Sequence, residues 1–359
     1  MHKLKIAFIY PKRYSFYPPD YLSRGLGGTE STLVLLARAL AKRGHRVDVY
    51  NCCFKPGDYE GVNWNPVWAL DPDEEYDVVI SLRLLETFQD WNFKSRIRAV
   101  WIHDDSLHGA EHFDRDGIVN AWIAVSETQK ASVSKNQKID RQHWFVTRNA
   151  YDEEIYTEEL RRVRKIRNRV IYCGAPDRGL LHLLKMWPFI KARVPDASLV
   201  VTGSYALWGT SDEENSRIFD DIYSVAKTLD DVDIKQRIQK EELSRLQAES
   251  ELMTYPTNFD EMFCISALEC LAVGTPIIST RKAAMKERVE DGVTGVLIDG
   301  DPADIDYQKR FVDATASILM NDDEKERLSR NGTASSLKLN FEELAKEWEQ
   351  EFLRRLSIA

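Results

Sequence analysis

Short apolar runs alternate with helix-period stretches along this chain, and the alternation starts twice. The first start is residues 4–10 (LKIAFIY), followed by a Pro-rich loop, the turn Gly27-Gly28-Thr29-Glu30, the stretch STLVLLARALAKRG and the run VDVYN. Strand, glycine turn, helix and strand in that order make a βαβ unit, the crossover that a parallel sheet requires. Further strand-like runs stand at 77–82 (DVVISL), 99–103 (AVWIH), 121–125 (AWIAV) and 143–147 (HWFVT). The second start is VIYC at 170–173. Behind it come GLLHLLKMWPFIKARV, ASLVVTG, an acidic irregular stretch near 209–221, KEELSRLQAE, ELMTY, a helix stopped by Gly274-Thr275-Pro276, then IIST and GVLID. Runs of this kind, apolar throughout, suit strands covered by helices on both faces.

A chain of 359 residues exceeds what one hydrophobic core usually serves, so two doubly wound domains are expected. The junction is placed at the basic run LRRVRKIRNR, giving a first domain over 1–160 and a second over 166–340. The closing stretch 341–359, with FEELAKEWEQEFLRRL, is expected to pack its apolar face back on the first domain. For the basic run the plain reading is a solvated linker face with arginines paired to Glu158 and Glu159. The functional alternative is a patch for an anionic membrane or a phosphate.

A composition of 43% hydrophobic and 30% charged residues fits a globular chain, and a formal net charge of −9 argues against DNA or RNA as a partner. The five cysteines are scattered, without paired metal-ligand spacing, which suits a reduced compartment; a cytoplasmic protein is expected, with peripheral membrane contact left open. No apolar run approaches the roughly 20 residues of a spanning helix, and the N-terminus reads directly into a strand rather than a signal peptide.

The segment 255–276, YPTNFDEMFCISALECLAVGTP, concentrates the chemistry. TNFDEMF reads as a loop leaving a strand, with a helix opening near Cys264, Ile265 and Ser266, so that free first-turn amides and the positive dipole end form an anion site. A diphosphate there leaves Glu261 in the loop near a sugar and Glu269 about one turn into the helix, where a carboxylate can accept from a diol. This block, Glu261 and Glu269 with seven residues between them followed by a Gly-x-Pro turn, resembles the retaining glycosyltransferases of family 4. The likeness extends through ISTRKAAMKERVEDGVTGVLIDGDP, with Glu287 and Gly295 in the family's downstream positions, and covers most of the C-terminal half.

The resemblance implies the GT-B fold, two Rossmann-like domains with a cleft between them, and transfer of a sugar from a nucleoside diphosphate sugar to an acceptor hydroxyl with retention. It implies no cofactor and no metal; the nucleotide sugar is a substrate, and the acceptor is a glycan, a lipid-linked or a small molecule. Gly27, Gly28, Thr29 and Glu30 match the family's glycine loop, which lies against the donor phosphates or the acceptor; the plain reading is a strand-to-helix turn capped by Thr29. His103 ends the strand AVWIH at the edge where open α/β sheets bind ligands; the family places a histidine there beside the transferred sugar, with Asp104 and Asp105 on the acceptor side. Arg178, before Gly179, falls where the family holds a basic residue against the leaving diphosphate. The family's earlier arginine is Ala175 here, which concentrates that role on Arg178, with Lys282 and Lys286 as the other cations in reach. Asn149 resembles the family's segment before the interdomain link, and Arg237 and Ile238 stand where backbone reads the nucleobase.

Other readings of the residues are a GT-B epimerase or phosphorylase, a nucleotide-sugar-binding module without turnover, and a Rossmann dehydrogenase. The last is disfavoured because GLGGTE lacks G-x-G-x-x-G spacing.

Overall fold

A computed structural model describes residues 3–11 and 15–358, so the centre of the Pro-rich loop lies outside the described residues. Its contacts divide the chain into two compact units. The first comprises the chain up to Tyr21, then Gly28–Ala150, and everything from Phe341 onward; the second comprises Leu22–Gly27 and Tyr151–Asn340.

The first unit is built on eight strands: β1 (Lys5–Tyr10), β2 (Arg46–Asn51), β3 (Gly57–Tyr59), β4 (Val62–Pro66), β5 (Tyr76–Leu82), β6 (Ser95–Trp101), β7 (Ala121–Ala124) and β8 (Trp144–Val146). Their order is β3-β4-β2-β1-β5-β6-β7-β8, parallel except for β3. Full burial of Phe8, Ile9, Val79, Ile80 and Val100 explains why these strands read as unbroken apolar runs. The helix Phe341–Ile358 completes this unit: Trp348 stacks edge-on against Trp101 with ring centroids 4.7 Å apart, and its indole N–H donates to Thr147 Oγ1 at 3.0 Å.

The second unit carries β9 (Arg169–Cys173), β10 (Ser198–Thr202), β11 (Val232–Gln236), β12 (Leu252–Tyr255), β13 (Ile277–Thr280) and β14 (Gly295–Ile298), in the order β11-β10-β9-β12-β13-β14 and all parallel. Val170, Leu183, Trp187, Leu199, Met253 and Ile277 belong to one buried cluster under its helices.

The division between units falls earlier than the basic run. Tyr151 bridges Asn340, and Tyr156 donates to Gln247 at 2.7 Å, so the chain is already committed to the second unit well before residue 160. Residues 22–27 also depart from the expected 1–160 domain: Gln239 donates to the Ser23 carbonyl, and Gly25, at φ +70, packs against Leu207 and Ile238. The basic run itself is only partly a solvated face. Arg162 pairs with Glu158, but Arg161 donates to the Ala272 carbonyl at 2.9 Å and Lys165 ties the carbonyls of Ala248 and Ser250 to the Thr275 hydroxyl. Among the elements the sequence reading did not place are the β3–β4 hairpin and the helix Asp212–Ile218 inside the acidic stretch, which Ser211 caps by accepting from the Glu214 amide. Among the described residues no helix is long and apolar enough to cross a membrane.

Candidate functional site

In an all-parallel sheet every loop that follows a strand opens at the same end, and in the second unit those loops carry the predicted residues. The turn after β9 holds Arg178; the loop after β12 holds Glu261 and leads into the helix Ile265–Ala272; the helix Lys240–Glu249 starts after β11. Glycine makes this crowding possible. Gly179 sits at φ +118, and a Cβ there would lie 2.2 Å from the Pro256 carbonyl oxygen; Gly203, at φ +122, would put one 2.1 Å from the Gly174 carbonyl oxygen.

Glu261 is buried. Its Oε1 accepts from Arg178 Nη1 at 3.1 Å and from the Tyr255 hydroxyl at 2.5 Å, and its carbonyl takes the Ala284 amide. The Arg178 guanidinium lies over the Phe259 ring, 4.2 Å from its centroid. Burial opposes the charge of Arg178, but Glu261 and Tyr255 outweigh it and hold the group above the ordinary arginine value. Burial, and then the Glu261 charge, push the Tyr255 hydroxyl well up, so it stays a proton donor to Glu261.

The helix after this loop begins at Ile265, with Cys264 as its cap at φ 64, a left-handed conformation that turns the chain sharply. Its first-turn amides have no carbonyl four residues back within the helix, and its N-terminus points the positive dipole end at the strand ends. Ser266 is half-buried there. Cys264 is buried, and burial followed by the Glu261 charge raises its thiol far above the usual range, which makes it inert filling. Glu269, one turn on, is also buried: Lys240 Nζ bonds its Oε1, and Gln247 Nε2 lies 3.4 Å from its Oε2. Sequence reasoning missed Lys240. Only its place at the start of a helix after a strand end could have suggested it.

In the first unit, the helix Gly28–Lys42 opens with the predicted Gly28 and Thr29, the latter buried, while Gly27 belongs to the segment that clusters with the second unit. His103 and Asp104 follow β6 by two and three residues, since the strand ends at Trp101. The His103 ring lies 4.6 Å from the Trp101 ring. Asp104 is paired with Arg83, whose Nε donates to Oδ2 at 2.7 Å; Asp105 is exposed, with its carbonyl accepting from Ser132 at 2.7 Å. Sequence reasoning gave Arg83 no role and read Glu30 only as the last residue of the glycine turn. Arg83 adopts φ 66 directly after β5, and the fully buried Glu30 accepts from the Tyr10 hydroxyl. Burial and then the Glu30 charge raise the Tyr10 hydroxyl far above its ordinary value.

The structure thus brings Arg178 and Glu261 into direct contact, and finds Lys282 held by Asp260 at 3.2 Å and by the Asn258 carbonyl. Arg237 lies 3.7 Å from Asp212, after Gln236 has turned the chain at φ 51. Asn149 is buried at the end of the first unit.

Known proteins resemble the chain in its second unit and in its fold. Residues 159–335 match the family described as glycosyl transferases group 1. The chain is 27% identical over 190 residues to a D-inositol 3-phosphate glycosyltransferase of Arthrobacter sp., half of this chain and 44% of that protein, so it spans less than half the length of the relative it matches. Among solved structures, a sucrose-phosphate synthase from Thermosynechococcus elongatus superposes with a TM-score of 0.75 at 18% identity, over 99% of this chain and 100% of the other. An Anabaena protein solved with UDP-glucose gives 0.69 at 14% identity, over 99% and 100%. At such identities the likeness shows the fold alone, and that fold is GT-B with two Rossmann-like units. The matched segment is nearly the whole of the second unit, and that unit carries the group 1 glycosyltransferase domain.

Proposed function

We propose that the protein transfers a sugar, with retention, from a nucleoside diphosphate sugar to an acceptor hydroxyl. The observation that carries this reading is that the two carboxylates of the 261/269 pair stand buried at one end of one sheet, each with its own cation, Arg178 on Glu261 and Lys240 on Glu269. A buried charge pair is costly to build, and two of them at the strand-end edge where open α/β sheets bind ligands suit a charged, hydroxyl-bearing ligand.

In this reading Arg178 and the amides opening the helix Ile265–Ala272 stabilise the negative charge that grows on the departing diphosphate, the dominant physical task in such a transfer. Gly27, Gly28 and Thr29 assist at the phosphates. Glu269 accepts from the ribose, and Glu261 from a hydroxyl of the donor sugar. Glu261 Oε1 already takes two strong donors, which fixes the carboxylate as a hydrogen-bond acceptor for the donor sugar, and the acceptor hydroxyl attacks directly in this reading. His103 serves the reacting ring, and Asp104 and Asp105 the acceptor, whose proton leaves with the diphosphate oxygen. No cofactor or metal is required, and the free cysteines fit a reducing, cytoplasmic setting with room for peripheral membrane contact.

The test is to incubate the protein with a panel of nucleotide sugars and acceptors and follow release of the nucleoside diphosphate. Acceptor-dependent release, with the donor's anomeric configuration kept in the product by NMR, is the expected result. Epimerised donor without transfer would assign the site to an epimerase, and binding without any turnover to a binding module.

A further inference from the structure

Lys240 is the first residue of the helix Lys240–Glu249, and its side chain is largely enclosed, 12% exposed against 6% for Glu269. An ammonium carries three donors. Here one goes to Glu269 Oε1, and one face of the group is taken by the Tyr156 ring, 5.3 Å from the nitrogen to its centroid. Among the described residues no other acceptor is in hydrogen-bond reach of it. Leaving donors of an enclosed cation unspent is expensive, and a neutral Met at this position would avoid the cost.

The other side of the pair is held equally firmly. Tyr156 donates to Gln247 Oε1 at 2.7 Å, which orients the Gln247 amide so that its Nε2 faces Glu269 Oε2. A carboxylate has about four lone-pair positions, and two are occupied. Lys240 and Glu269 therefore present, side by side, a strong donor and a strong acceptor with capacity to spare. The group that satisfies both at once is a hydroxyl, which donates to the carboxylate while accepting from the ammonium. A vicinal diol fits better still, its second hydroxyl taking the remaining carboxylate position.

We propose that Lys240 is a specificity-determining residue that reads the 2′-hydroxyl of the donor nucleotide, so that the site takes ribonucleoside diphosphate sugars and rejects their 2′-deoxy counterparts. The proposal rests on the donor-site reading above, in which Glu269 meets the ribose. A 2′-deoxy nucleotide keeps every phosphate contact but returns Lys240 to its unspent state and leaves one carboxylate position empty, a loss that is large because both groups are enclosed.

The experiment is calorimetric titration with the ribonucleoside diphosphate that the wild-type protein binds best and with its 2′-deoxy form. Wild type is expected to favour the ribonucleotide by about fiftyfold. In Lys240→Met the preference should shrink to within about fivefold, chiefly through lost ribonucleotide affinity, while Lys240→Arg, which keeps charge and donors, should restore most of it. If Lys240→Met does not fold, Lys240→Gln, which keeps a neutral donor, takes its place, with a preference between those of wild type and parity. An unchanged preference in the variants, equal losses for both nucleotides, or parity in wild type would overturn the assignment of Lys240 while leaving the donor site standing. A folded wild-type protein that binds no nucleoside diphosphate would remove the donor site and this inference together.

Discussion

The strand ends of the two sheets carry carboxylates of different kinds. In the second unit Glu261 and Glu269 are buried to 9% and 6% side-chain exposure and each is matched to one cation. In the first unit Asp104 is 40% exposed and shares Arg83 with a cluster that also holds the buried Glu30. Enclosure multiplies the worth of a charge, because few waters compete and nothing replaces a lost partner. Under the proposed function, the second unit would hold the charged donor in a fixed pose, and Asp104 of the first would grip an acceptor hydroxyl only modestly. A donor unit and an acceptor unit should differ in this way.

The sharpest way to break that comparison is Arg178→Ala. Turnover should fall by about a hundredfold to a thousandfold, the usual result of deleting one preorganised group that faces charge developing in the transition state. Lys282 is already engaged with Asp260 and Asn258, which leaves it poorly placed to substitute. Steady-state kinetics showing near-normal kcat would mean that the pairing of Arg178 with Glu261 is structural and that the phosphate charge is met elsewhere.

Glu261→Gln probes the same pair from its other side, with a smaller effect. Gln keeps an acceptor for Tyr255 and Arg178 but removes the charge. Transfer should drop about tenfold or more, while affinity for the sugar-free nucleoside diphosphate barely changes, since the side chain is assigned to the sugar. Equal losses in binding by calorimetry and in rate would detach Glu261 from the sugar.

The comparison also explains what was legible beforehand. Strands β1, β2, β9 and β12 were plain because burial on both faces makes them continuous apolar runs. β11, VDIKQ, is an edge strand without full burial at any position, and its charged residues hide it. The 261/269 block could be read because loop, helix start and both carboxylates lie close together in one short stretch of sequence. Lys240 could not, since its partner is 29 positions away and only the fold joins them. The same holds for Arg83 with Asp104, for Tyr151 with Asn340, which sets the boundary before the basic run, and for Gln239 with Ser23, which ties residues 22–27 to the second unit.

A milder effect is expected in the first unit from Asp104→Asn. At 40% exposure, with Arg83 supplying most of its contacts, the carboxylate should contribute about 1 kcal/mol to an acceptor hydroxyl, so acceptor KM rises roughly fivefold while donor affinity stays put. A change of a hundredfold or more would erase the distinction drawn between the units.

The smallest effect separates the units by how they are assembled. The first unit depends on a helix from the far end of the chain, fastened by Arg43 to Glu349 and by His45, whose Nε2 lies 3.4 Å from Glu349 Oε1. His45 Nδ1 accepts the Leu4 amide at 3.1 Å, so this nitrogen must stay unprotonated in the folded protein. Burial, opposed by Glu349, holds the imidazole below its ordinary value near 6.5. The unfolded chain then takes up a proton before the folded one, so the stability linked to His45 is present above about pH 6.5 and is lost as the pH falls below it. Because the Glu349 charge works against burial, the loss is smaller than burial alone would impose. A two-unit chain need not unfold in one step, so the measurement belongs at the site: hydrogen exchange of the Leu4 and β1 amides at about pH 7 and about pH 5.5, corrected for intrinsic rates. Wild type should lose protection between the two, and His45→Gln, which can still accept from Leu4 and does not titrate, should not. Equal loss in both proteins would place the acid-sensitive group somewhere other than this seam.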